Sequence, residues 1–449
     1  MLKKLFISLL IVHCSLFAVH CNAQMQLLKI ADDKRSFATA DGKPFFWLGD
    51  TGWLLFKNCT KEEIIEYLTI RKKQGFNVIQ AMLLHELTVT NTYGDSALIN
   101  KNVSKPNTTK TYWEIVDFAI KEAAKRNIYM ALVPVWGGNV KSGKVSEQQA
   151  EQYASFLANR YKKYNNIIWL NGGDIRGNDG ESVWKIIGKT LKEKDGRHLI
   201  TFHPRGRSTS STWFHNEEWL DFNMFQSGHK NYAQDTVEPR MGEDNWKYVV
   251  NDFALQPMKP TMDGEPSYEN IPHGLHDSLA ARWTGADVRR YAYWNVFAGG
   301  AGFTYGENSV MQFKTTWNKD VSFGPVKTWK EEMNAEGATQ MQYVKKLITS
   351  SNFLYRKLAQ DLIVNQGERY HYLAALQVKG AIYVYTYTGR NIELNLARYA
   401  GKKVKSAWYN PKNGQYIAIE NFTANGMKVF DAPGEEKEGN DWVLVITNL

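Results

Sequence analysis

Two carboxylates in this chain stand where chemistry could be done. Asp174 closes the apolar run NIIWLNGGD (166–174), after two glycines that allow the backbone to turn closely against a ligand. Glu265 closes KPTMDGEP (259–266), fixed between Gly264 and Pro266. Opposed across one site, such a pair is the minimum machinery for cleaving a glycosidic bond. One acid protonates the leaving oxygen, and the other carboxylate attacks the anomeric carbon or activates water. A nearby negative charge also favours an oxocarbenium-like transition state. Singly, Asp174 would serve as a helix N-cap and Glu265 as the partner of a buried Arg, but neither role accounts for both groups. Glu269, four residues past Glu265, is a second candidate nucleophile, less directly placed because it lies beyond Pro266.

Other chemistries find less support. A metal-dependent hydrolase would want closely spaced His ligands, and no His-x-His follows the first apolar run, although His85, His203 and His229 could converge. A Gly-x-Ser-x-Gly nucleophile elbow is absent. Asp50-Thr51-Gly52-Trp53 lacks the glycine pattern that cradles a nucleotide phosphate. Neither a metal nor a cofactor is expected. Outside the leader the one cysteine is Cys59, in a turn before a helix, and it reads as structural.

These groups need a scaffold, and the chain supplies one by repetition. Eight short apolar runs cover 43–50, 76–85, 128–136, 166–174, 199–204, 222–228, 259–266 and 299–306. Near-continuous apolar runs are typical of parallel strands buried on both faces. Helical patterns separate them at 61–74, 111–126, 147–163 and 181–194, with weaker ones at 244–254 and 283–297; Thr60 with Glu63 forms a capping box. This alternation predicts an α/β fold, a (β/α)8 TIM barrel, with an open doubly wound sheet as the other arrangement. In a barrel the active site lies at the C-terminal strand ends. Those ends carry Asp50, His85, Trp136, Asp174, His203, Gln226, Glu265 and Tyr305, a polar and aromatic rim.

The remainder frames the barrel. Residues 1–23 read as a signal peptide: Lys3 and Lys4, an apolar core, then Cys21-Asn22-Ala23. Cleavage after Ala23 is favoured over lipid attachment at Cys21, because His20 stands where a lipid signal wants a small residue. The protein is therefore expected to be secreted or periplasmic, without a membrane span. Residues 25–42 read as a small β-element, and 329–350 as a closing helix that completes a catalytic unit over 24–350. From 355 to 449 the pattern turns to period two, predicting an antiparallel β-sandwich. Net charge is +9, with basic residues scattered rather than clustered, which argues against nucleic acid and suits attraction to an acidic polysaccharide. With 15 Trp, 23 Tyr and 21 Phe, there are rings enough both for a core and for stacking on sugars.

Several motifs resemble the apiosidase-like glycoside hydrolases, glycoside hydrolase family 140: FFWLGDTGW (45–53), WLNGGD (169–174), MDGEPSYEN (262–270) and YWNVFAGGAGFTYGENSVMQF (293–313). The resemblance spans essentially all of the chain after the leader. It implies a (β/α)8 domain that releases apiose from the branched pectin rhamnogalacturonan II, with Asp174 as acid/base and Glu265 as nucleophile. Trp408-Tyr409-Asn410-Pro411 with Gly414 resembles a C-terminal module labelled collagen-binding, read here as a packing module. Candidate substrate-binding residues are then Asp50, Trp53, His85, Trp136, Asn171, His203, Gln226, Tyr268, Glu269 and Tyr305. A monomeric, carbohydrate-cleaving enzyme is expected; an endo-acting, cellulase-like glycanase and a non-catalytic carbohydrate- or matrix-binding protein are the alternatives.

Overall fold

The structure, a computed structural model, describes residues 25–449 apart from 239, 319, 320 and 352. The leader expected at 1–23 lies outside the described residues. The eight apolar runs form eight parallel strands: β1 Trp47–Thr51, β2 Val78–Met82, β3 Tyr129–Val133, β4 Ile167–Ile175, β5 Ile200–Pro204, β6 Asn223–Gln226, β7 Thr261–Asp263 and β8 Gly302–Tyr305. They are hydrogen-bonded in the order 5-4-3-2-1-8-7-6. The barrel closes between β5 and β6, where Asp221 N–H donates to the Ile200 carbonyl at 2.9 Å and Thr201 Oγ1 to the Phe222 carbonyl at 2.6 Å. This is the closed (β/α)8 arrangement, not the open sheet.

Helices return the chain along the outside: α1 Lys61–Lys73, α2 Tyr112–Lys125, α3 Glu147–Tyr161, α4 Glu181–Lys194, α5 Ser211–Phe214, α6 Asn245–Phe253, α7 Gly285–Phe297 and α8 Glu336–Thr349. Capping boxes start α1 (Thr60, Glu63), α3 (Ser146, Gln149) and α7 (Thr284, Asp287), each satisfying otherwise orphaned backbone donors. Two departures from the sequence reading appear. Between β5 and β6, where the sequence shows no helical segment, stands the four-residue α5, preceded by a short strand, Ser208–Thr209, that pairs antiparallel with β6. The closing helix is split into Trp329–Glu332, with its own Thr328–Glu331 capping box, and α8.

The strands Leu28–Ile30, Phe37–Thr39 and Pro44–Phe45 form a small sheet under the barrel, plugging its floor where Phe37 meets Phe222 edge-on at 5.0 Å. The C-terminal region is a six-stranded antiparallel sheet facing a two-stranded one, Ile392–Asn395 with Met427–Phe430. Its central strands are buried on both faces rather than alternating with solvent. Ile382, Val384, Leu444 and Ile446 pack under the small sheet, while Tyr383, Tyr385, Val443 and Val445 join the barrel core. There Tyr385 stacks on Tyr293 of α7 at 4.8 Å, and Arg289 of α7 grips Asp441 through two 2.9 Å bonds. The buried aromatic layer and ion pair make the second region a packed extension of the barrel.

Candidate active site

The backbone sets the first carboxylate in an unusual position. Gly172 and Gly173 have φ of 88° and 116°, and Asp174 itself has φ of 46°. A bulge here interrupts the β4–β5 ladder between Gly172 and Ile175. The two glycines are close to protein rather than to ligand space. A Cβ on Gly172 would meet the His203 carbonyl at 2.7 Å, and one on Gly173 the Trp136 ring at 2.6 Å. The bulge turns the Asp174 side chain into a cavity of about 560 Å³ at the C-terminal mouth of the barrel. Such a volume suits a small saccharide.

Glu265 lines the same cavity from β7. Its segment is pinned by Gly264, whose carbonyl accepts from Gln80 Nε2 at 2.9 Å, and by its own carbonyl, which accepts from Gly228 N–H at 3.1 Å. Two histidines approach its carboxylate. His203 Nε2 is 3.1 Å from Oε2, and His229 Nε2 is 3.1 Å from Oε1. Each imidazole accepts a backbone N–H at Nδ1, His203 from Asp174 at 3.3 Å and His229 from Tyr268 at 3.4 Å. Nδ1 being an acceptor, Nε2 carries the hydrogen on the side of Glu265.

The electrostatic consequences differ sharply for the two acids. Burial by itself would raise the Glu265 carboxyl, but the close His203 imidazole and the hydrogen-bonded His229 imidazole outweigh it and hold the group down to about 2. Asp174 meets solvent inside the cavity. The protein around that cavity, and then the charge of Glu265, push Asp174 up to about 6. Thus between roughly pH 2 and 6 one acid is protonated and the other ionised, the division of labour that acid–nucleophile chemistry requires.

The structure gathers only part of the predicted binding set. Trp53, His85, Trp136, Gln226 and Tyr268 line the cavity with the two acids. Trp53 and Trp136 form an aromatic wall, 5.5 Å between ring centroids, and Trp53 Nε1 donates to the Tyr268 hydroxyl at 3.0 Å. His203 lies beneath, acting through Glu265 and set edge-on to Trp53 at 5.2 Å.

Four expected binding residues are instead structural. Asp50 is fully buried behind β1, where it accepts from Arg71 Nε at 2.6 Å and from the Tyr67 hydroxyl. Tyr305, its register partner on β8, donates to Glu269 Oε2 at 2.6 Å. Glu269 caps α8 by accepting the Gly337 N–H on both oxygens, 3.0 and 3.1 Å, which removes it as an alternative nucleophile. Asn171 points to α4, donating to the Trp184 carbonyl at 2.7 Å and accepting from Gly172 N–H.

The sequence offers His229 only as a possible metal ligand and does not show its place beside Glu265. The basic rim formed by Lys57, Arg205, Arg207 and Lys230 was missed as well. The run His203-Pro204-Arg205-Gly206-Arg207, at a strand end, was the available signal. Among the described residues, no group of three or more His, Cys, Asp or Glu is arranged to hold a metal ion.

Comparison with known proteins gives the family. Residues 31–355 match the family model "Apiosidase-like, catalytic domain", and residues 359–447 match "Putative collagen-binding domain of a collagenase". A solved structure titled "Glycoside hydrolase" is 41% identical, with TM-score 0.90, over 94% of this chain and 97% of its own. A Bacteroides vulgatus protein titled a glycoside hydrolase family 5 is 39% identical, with TM-score 0.91, over 95% and 94%. No curated protein matches. By its sequence, fold and paired acids, the chain belongs to the apiosidase-like family and is a glycoside hydrolase.

Proposed function

We propose that the enzyme is a secreted or periplasmic retaining glycosidase that removes side-chain sugars, apiose first among them, from pectic polysaccharide. The observation that carries the mechanism is the split between an acid held protonated to about pH 6 and a carboxylate held ionised to about pH 2 in one cavity. Support for the substrate comes from the apiosidase-like family match and from the cationic rim, which would attract a uronate-rich chain.

In the first step a Glu265 oxygen attacks the anomeric carbon. The glycosidic bond breaks, and the Asp174 proton passes to the departing oxygen. Forming the glycosyl ester removes the negative charge of Glu265 and lowers the Asp174 pKa. Asp174 then takes a proton from water as that water attacks the anomeric carbon and releases Glu265. The aromatic wall gives the sugar's C–H face a surface to lie against.

The test is a leaving-group series. Asp174→Asn should lose roughly 10²–10⁴-fold on unactivated glycosides and much less on aryl glycosides that need no proton. Glu265→Gln should be inactive on all of them, and Glu269→Gln should lower stability with kinetics retained. Equal impairment of Asp174→Asn on both substrate types would remove the acid assignment. An inverted first product, read by NMR, would remove Glu265 as nucleophile.

A further inference from the structure

A second cavity, about 590 Å³, opens at the seam between the barrel and the C-terminal region. Its floor is aromatic. Trp246 of α6 and Tyr372 of the C-terminal region stack with centroids 4.1 Å apart and planes 2° from parallel. Tyr232, from the loop after β6, adds a third ring, with the Arg369 guanidinium 5.1 Å over it. Lys247 and Gln366 stand on the polar rim. The buried Trp246 Nε1–H has no acceptor among the described residues. The ring faces are covered, by each other and by Lys247 and Arg369, so the cavity offers ring edges beside cations, carboxylates and an amide, a mixture that suits the C–H and hydroxyl groups of a saccharide.

This cavity adjoins the catalytic one. Arg207 lines the first and Asp235 the second, and the two are joined at 3.3 Å from Nε to Oδ1. The same loop sends His229 to Glu265 and, three residues on, Tyr232 to the seam. Three residues of extended chain span at most about 10 Å, so a short oligosaccharide could reach across. Glu243 steadies the loop on both sides. It accepts from Tyr232 N–H at 3.2 Å, and from Tyr370 of the C-terminal region at 2.9 Å.

We propose that the seam cavity is a second saccharide site, holding a part of the glycan remote from the bond cleaved in the first. This rests on the glycosidase reading above. It gives the C-terminal region a function, since without that region the cavity loses Tyr372, Gln366 and Arg369.

The probe is soluble pectin rich in rhamnogalacturonan II, tested on the full chain by affinity electrophoresis and by steady-state kinetics. Lys247→Ala/Arg369→Ala strips the rim, Trp246→Leu breaks the floor, and melting temperatures show that each variant folds. The site predicts at least fivefold weaker retardation and fivefold higher KM on pectin, with kinetics on a small aryl glycoside unchanged. Wild type that is not retarded, or retardation unaltered in both variants, overturns the proposal. Loss of retardation in the variants of an enzyme that cleaves no glycoside would leave the seam site standing and refute the glycosidase reading instead.

Discussion

Replacing His229 by Phe tests the electrostatic core of the site most directly. The ring is kept, so packing against Tyr268, edge-on at 4.7 Å, is preserved while the donor to Glu265 Oε1 is lost. In the folded enzyme the Glu265 carboxyl falls from its ordinary value of 4.5 to about 2. At 1.36 kcal/mol per pKa unit, that is a preference of ~3 kcal/mol for the ionised form. A hydrogen bond to a charged group contributes about 1.5–3 kcal/mol. Losing this donor, with the His203 contact kept, should therefore move the Glu265 ionisation up by ~1–2 pH units. The assay is kcat/KM against pH on an aryl glycoside with a good leaving group, where demand for the Asp174 proton is small and the acid limb reports Glu265 in the free enzyme. The acid limb should rise to roughly pH 3–4 in the variant, with the alkaline limb on an unactivated substrate still near pH 6, where Glu265 remains ionised. Circular dichroism over the same range separates titration from unfolding. An acid limb unmoved in a folded His229→Phe protein would refute the claim that the imidazole holds the nucleophile ionised.

Two further outcomes follow from buried groups elsewhere. Burial raises Asp263 to about 7 and Glu307 to about 8, so the folded state holds protons there that the unfolded chain releases near pH 4. Their contribution is present at low pH and fades as pH climbs towards those values. The melting temperature should accordingly fall between pH 5 and 8, and Asp263→Asn with Glu307→Gln should flatten that slope; an unchanged slope would exclude these two acids as its cause. Truncation after residue 355 should give an insoluble protein, because it uncovers Tyr293, Trp294 and Phe297 of α7 and strands the buried Arg289 without Asp441. A soluble truncate with native circular dichroism would show the barrel to be independent of its partner region.

The barrel was legible because its determinants are local. Eight apolar runs, helical periodicities and capping boxes each act within a few residues, and the rule that barrels work at their C-terminal strand ends carried the reading to Asp174 and Glu265. The facing of each strand-end side chain was not legible. Asp50 pairs in register with Tyr305, and Asn171 with Phe202, while the next residue on each β4–β5 partner pairs Gly172 with His203. Register partners share a face, and a step of one residue changes it. Asp50, Tyr305 and Asn171 therefore turn toward the surrounding helices, and His203 turns inward to Glu265. Three consecutive positive φ values at Gly172, Gly173 and Asp174 break that alternation and deliver Asp174 to the cavity, which no strand pattern contains. Glu269 reads as catalytic in sequence because it follows Glu265 closely, yet the N-terminus of α8, brought 68 residues back to it, claims its carboxylate. His229 and the rim arginines lie on loops whose course is set by contacts distant in the chain, such as Glu243 with Tyr370. Local sequence thus determined the elements and where chemistry could lie, and long-range packing decided which of the candidates face the substrate.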